Sequence, residues 1–118
     1  MSPWYYNPHT GGTRISPKVQ EETRTKLLSL AKESDFKNLV RLEIRFKGAL
    51  CYVDAYEKDY PDVPTHICRL RLVSGGQAWS MAFYTYSHEK YEPCLFLTGK
   101  ETGTLEEAWK TVGSFYLS

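Results

Sequence analysis

Hydrophobic and polar positions repeat with a period of two through the middle of the chain and with a helical period near both ends. From Leu39 onward, Leu42, Ile44 and Phe46 alternate with Arg41, Glu43, Arg45 and Lys47, the pattern of a strand with one buried face. Further on, Gly75-Gly76 is a two-residue turn that tolerates positive φ at both centres, which predicts a type I′ hairpin between strands at about 65–74 and 77–86. Folding about it sets Leu72 opposite Trp79, Leu70 opposite Met81 and Cys68 opposite Phe83. The reverse face then pairs Arg71 with Ser80, Arg69 with Ala82 and Ile67 with Tyr84. This register buries three apolar pairs and turns both arginines outward, as a sheet with one wet face requires.

An earlier hairpin turns at Lys47-Gly48-Ala49, where two registers compete. A Lys47-Gly48 turn sets Arg41 against Asp54, a favourable cross-strand pair. A Gly48-Ala49 turn suits type II′ chemistry better but sets Glu43 against Asp54. Both leave Cys51, Val53 and Ala55 on the inner face.

Ser16-Pro17 is a capping hydroxyl followed by proline at the first helical position. Val19, Thr23, Leu27, Leu30 and Ala31 follow at helical spacing, predicting a helix over 17–34, with Glu21 and Glu22 near its start and Lys32 near its end to suit the helix dipole. Thr104-Leu105-Glu106-Glu107 is a capping box, and Leu105, Ala108, Trp109, Val112, Phe115 and Tyr116 form the apolar stripe of a second helix over 104–117. Residues 1–16, with Trp4, Tyr5 and Tyr6 among breakers, read as an arm lying across the domain. Residues 57–64 read as an acidic loop, and Cys94-Leu95-Phe96-Leu97 as a fifth strand or a buried loop. The expected fold is a single α+β domain: a four-stranded antiparallel meander over 39–86, with both helices stacked on its apolar face.

A chain of 118 residues with 42% hydrophobic and 25% charged positions suits one core, burying roughly two-thirds of the unfolded surface. A formal net charge of +1 gives no global attraction to nucleic acid or anionic membranes, so any such affinity must come from local patches. No apolar run approaches the roughly 18 residues of a membrane span. The absence of a secretory pattern at the N-terminus and an odd count of three cysteines suggest a reduced, cytoplasmic protein.

The nine tyrosines change this picture most. By the register above, the outer sheet face carries Arg41, Arg45, Lys47, Arg69 and Arg71 with Tyr52, Tyr56, Tyr84 and Tyr86, against only Glu43 and Asp54. The first expectation is a non-catalytic binding or interaction module, meeting a protein partner or a second copy through this face or a sheet edge. The second is single-stranded nucleic acid on the same face, because rings stack on bases and guanidinium groups meet phosphates. A third is a small enzyme or metal protein at an acidic rim of Asp35, Glu57, Asp59, Asp62, Glu89 and Glu92 with His66 and His88. No HExxH or EF-hand spacing accompanies that rim, and no cofactor or metal site is expected. His66-Ile67-Cys68 sets a histidine and a cysteine on one face, but Cys68 faces the core, where a thiol behaves as a small hydrophobe.

The strings Trp4-Tyr5-Tyr6-Asn7-Pro8-His9-Thr10-Gly11-Gly12, Thr65-His66-Ile67-Cys68-Arg69-Leu70-Arg71 and Ala82 through Cys94 resemble a family of short, uncharacterised prokaryotic proteins. The resemblance spans most of the chain. It implies no activity, cofactor or partner and carries over no residue roles.

Overall fold

In a computed structural model, which describes residues 13–34, 36, 38–74 and 78–115, the Ser16 hydroxyl accepts the Val19 N–H at 3.3 Å and opens α1 (Pro17–Glu33). Thr23 and Leu27 are its buried residues, and Val19, Leu30 and Ala31 pack against the same core. Glu21 and Glu22 fall beyond the first turn, which holds no acidic residue, so the dipole contribution expected of them is weak; Lys32 does occupy the last turn. At the other end of the chain, α2 (Leu105–Phe115) begins with a reciprocal capping box. The Thr104 N–H donates to Glu107 Oε1 at 2.9 Å, and the Glu107 N–H donates to Thr104 Oγ1 at 3.2 Å.

Between the helices lie β1 (Leu39–Lys47), β2 (Leu50–Glu57), β3 (Tyr60–Ser74), β4 (Ala78–Thr85) and β5 (Lys90–Cys94), hydrogen-bonded in chain order as an antiparallel meander. A short β6 (Thr102–Gly103) pairs β4 beyond the end of β5. The sheet therefore extends past the four strands expected. Residues 95–97 are a loop, with Phe96 buried and Leu95 and Leu97 exposed. A Cβ at Gly103 would lie 2.8 Å from Phe96 Cδ2 and 3.0 Å from Glu107 Oε1, so β6 approaches the loop and α2 as closely as it does only with glycine there. The expected acidic loop is also shorter than 57–64: Glu57 pairs with Tyr60, and β3 starts there.

Both hairpin predictions meet the observed ladders. Leu72 faces Trp79, Leu70 faces Met81, Cys68 faces Phe83, Arg71 faces Ser80 and Arg69 faces Ala82. The Gly75-Gly76 turn itself, Asp35, and the arm over 1–12 lie outside the described residues. In the first hairpin Lys47 pairs with Leu50, so the turn is Gly48-Ala49 and Glu43 faces Asp54. Gly48 takes φ +60, the conformation a type II′ turn asks of its first central residue. Turn geometry prevails over the cross-strand charge pair of the alternative register.

Ile67 departs from the alternation. Val53 pairs with Cys68 and Asp54 with His66, so Ile67 is an extra residue on β3, a β-bulge. Expected on the outer face opposite Tyr84, it is instead fully buried in the core. From Cys68 onward β3 keeps the predicted facing, whereas His66 is moved to the outer face.

The apolar sides of both helices share one core with Leu42, Ile44, Cys51, Val53, Leu70, Leu72, Trp79 and Met81. Polar ties hold the layers together. Arg24 Nη1 donates to the Ile44 carbonyl at 2.9 Å, and Trp109 Nε1 donates to Ser34 Oγ at 2.6 Å. Ile15 is buried, its N–H donating to the Gly48 carbonyl, while the Thr13 N–H donates to the Leu72 carbonyl. The described end of the N-terminal arm is thus fastened to the hairpin end of the sheet.

The bulge makes Ile67→Ala informative. A core isoleucine truncated to alanine costs about 2–5 kcal/mol, whereas an exposed one costs within about 0.5 kcal/mol. Urea unfolding of this variant should show the larger loss.

Candidate functional site

Outward positions of neighbouring strands build one continuous polar and aromatic surface: Arg41, Glu43 and Arg45 on β1, Tyr52, Asp54 and Tyr56 on β2, His66, Arg69 and Arg71 on β3, Tyr84 on β4 and Tyr91 on β5. Tyr86 follows just beyond the end of β4.

Asp54 lies at its centre and is only 2% exposed. A buried carboxylate needs partners, and two side chains supply them. His66 Nδ1 lies 2.9 Å from Oδ1, and Arg45 Nη2 lies 3.2 Å from Oδ2. Because an ionised carboxylate is acceptor-only, this contact puts a hydrogen on Nδ1 and leaves Nε2 for other partners. The facing of Glu43 and Asp54 would be repulsive by itself. It is relieved because Arg45 takes Asp54, while the Tyr56 O–H donates to Glu43 Oε2 at 3.3 Å.

Three of the four predicted arginines lie over tyrosine rings. The Arg41 guanidinium lies 3.8 Å from the Tyr56 centroid, Arg45 5.1 Å from Tyr52, and Arg69 5.3 Å from Tyr91. A guanidinium held over a ring gains a cation–π attraction and is restrained in place. Arg71 differs from expectation. It is 4% exposed, with Ser80 and Ala82 also buried, so this part of the outer face is not solvated. Burial, and then the neighbouring Arg69 charge, lowers its pKa from the usual guanidinium value.

The rings pack edge to face. Tyr84 lies 4.8 Å from Tyr86 and 5.0 Å from Tyr91, each at 74°, and Tyr52 meets Tyr91 at 5.6 Å. Burial, followed by the Asp54 carboxylate, pushes the Tyr91 phenol above its ordinary pKa. His66 joins this cluster, 5.0 Å from Tyr84 and 6.4 Å from Tyr86, and its N–H donates to the Tyr86 hydroxyl at 2.8 Å.

All eight predicted site residues therefore lie on one side of the sheet, though Arg71 is enclosed. Sequence reasoning missed Tyr91 and placed His66 at the acidic rim and on the face of Cys68 rather than opposite Asp54. Tyr91 was hidden because Pro93 argues against a strand there, although an edge strand tolerates it. His66 had a readable signal: the adjacent apolar pair Ile67-Cys68 interrupts an alternating run, as a bulge does.

The two histidines expected at the acidic rim take different partners, and Cys68 faces the core as expected while His66 does not share its face. His66 faces Asp54 on the sheet, while His88 Nδ1 contacts Glu92 Oε1 at 2.6 Å in an exposed pair at the β4–β5 turn. Among the described residues, no three His, Cys, Asp or Glu side chains group as metal ligands. The bulge separates His66 from Cys68, which faces the core. Burial raises all three thiols: Cys51 to about 12, Cys94 to about 11, and Cys68 well above its ordinary value. No helix among the described residues is long and apolar enough to cross a membrane.

Raised thiol pKa values set a pH dependence. An unfolded chain loses thiol protons near pH 9 while the folded one keeps them, so above that pH the unfolded state binds fewer protons and stability falls. Denaturation midpoints should be insensitive to these groups below pH 8 and decline from pH 9 toward 12. Replacing Cys51 and Cys94 with alanine and valine should flatten that decline. At Asp54, Arg45→Ala should cost about 1–3 kcal/mol by stripping a partner from a buried acceptor. A double-mutant cycle with Asp54→Asn should return a coupling energy of at least about 0.5 kcal/mol.

No family model matches the chain, and no curated protein or solved structure matches it. The roles open to the residues of this face follow from their geometry.

Proposed function

We propose that this chain is a binding module that takes single-stranded nucleic acid on its outer sheet face. The observation that carries this reading is the row of guanidinium groups lying over tyrosines, Arg41 over Tyr56, Arg45 over Tyr52 and Arg69 over Tyr91. An arginine already held over a ring loses less side-chain freedom on meeting a phosphate, so the face is pre-organised for a chain of anions. Tyr86, 55% exposed beside this row, offers a π-face of the kind that bases stack on irrespective of sequence. The net charge of +1 is compatible with this because the basic residues are concentrated locally. A protein partner would use the same module differently, through β1, an edge strand among the described residues, where Val40 is exposed.

Fluorescence anisotropy with a labelled dodecathymidylate separates the two. Binding should weaken steeply between about 50 and 200 mM salt, and Arg41→Ala should lower affinity and reduce the salt slope by about one. An oligonucleotide that stays unbound at low salt removes the reading. Concentration-dependent dimers in sedimentation without oligonucleotide binding would assign the module to protein association.

A further inference from the structure

We infer that His66, Tyr84 and Tyr86 form a nucleobase subsite within this face, an assignment that rests on the nucleic-acid reading above. The three ring centroids make a triangle with sides of 5.0, 4.8 and 6.4 Å. The two most distant rings, His66 and Tyr86, are within 15° of parallel, and Tyr84 is inclined to them by 60° and 74°. Two rings are nearly parallel and the third crosses them, so faces and edges are presented together. Tyr86 stands beyond the last residue of β4 and is 55% exposed, so a base can stack on its ring without disturbing a ladder.

His66 is the fixed ring. Its ring is anchored through Nδ1 to the buried Asp54, and its side chain remains 37% exposed. On a neutral ring that anchor leaves Nε2 as an acceptor, and the Tyr86 hydroxyl, having accepted the His66 backbone N–H, keeps its own hydrogen to donate. A base entering the subsite thus finds two π-faces, one acceptor and one donor. A cage of three rings also suits an organic cation, but the charges around this one argue against that occupant. Arg45 holds the other oxygen of the same carboxylate, and Arg69 lies over the Tyr91 ring that packs on Tyr84. Two guanidinium groups beside the rings disfavour a cation and favour a neutral ring carried on an anionic backbone.

The discriminating probe is a pair of single-stranded DNA dodecamers, one all-thymidine and one abasic, so that both carry the phosphate chain and only one carries bases. The thymidine strand should bind more tightly, and it should move the His66 and Tyr86 ring proton resonances upfield. Tyr86→Ala should weaken its binding roughly 5- to 150-fold while leaving abasic binding unchanged, and Tyr86→Phe should retain most of the affinity. Circular dichroism would establish that each variant is folded. Equal affinity for the two strands, or binding that ignores Tyr86→Ala, would overturn the subsite and leave phosphate recognition standing. Failure of both strands to bind would overturn both readings, and ring shifts with choline in place of the thymidine strand would reassign the three rings to a cation.

Discussion

One extra residue in β3 reconciles demands that regular alternation could not meet together. Between His66 and Leu72 the chain must bury Ile67, Cys68, Leu70 and Leu72, and a period of two accommodates only the last three. Setting Ile67 and Cys68 together opposite Val53 lets adjacent apolar residues share the core, while the strand twists locally to absorb the surplus. The same step rotates His66 to the opposite surface, directly across from Asp54. Core packing and the outer polar cluster are therefore two consequences of one irregularity.

Asp54 organises what the bulge delivers. A carboxylate enclosed to this degree is unfavourable unless its oxygens are occupied, and His66 and Arg45 occupy one each. Arg45 is then positioned over Tyr52, and Tyr52 in turn meets Tyr91. Order spreads from a single buried charge through guanidinium and ring contacts, each contributing a modest amount but all sharing one geometry. The result is a surface whose cations and rings are held by their neighbours, the pre-organisation on which the proposed binding function relies.

Much of this was legible in the residues. The facing of Leu70, Leu72, Trp79 and Met81, the capping at Ser16 and Thr104, and the Arg/Tyr composition of the outer face all follow from local rules with strong physical costs behind them. What escaped is equally specific. The burial of Arg71 depends on what packs above β3, which alternation does not encode. The strand β5 was masked by Pro93, tolerated because the N–H that proline lacks would have no strand to bond at an edge. The turn at Gly48-Ala49 had to be decided between backbone conformation and a charge pair. The backbone term prevails because a type II′ turn matches the strand twist, whereas an exposed charge pair is weak and finds diagonal partners instead.

Outside the bulge, the sequence by itself determined which side chains look inward and which outward, because each strand must present one apolar stripe and each helix one apolar side or forgo the hydrophobic free energy of a common interior. Only the tertiary structure decided which outward residues meet. Convergence of His66, Asp54 and Arg45 requires three strands in a register set by a bulge and a turn, and convergence of Tyr84, Tyr86 and Tyr91 requires a strand that local pattern conceals. Facing is a property of single segments and their periodicity, whereas adjacency between segments depends on the ladder as a whole, where one inserted residue reassigns every neighbour beyond it.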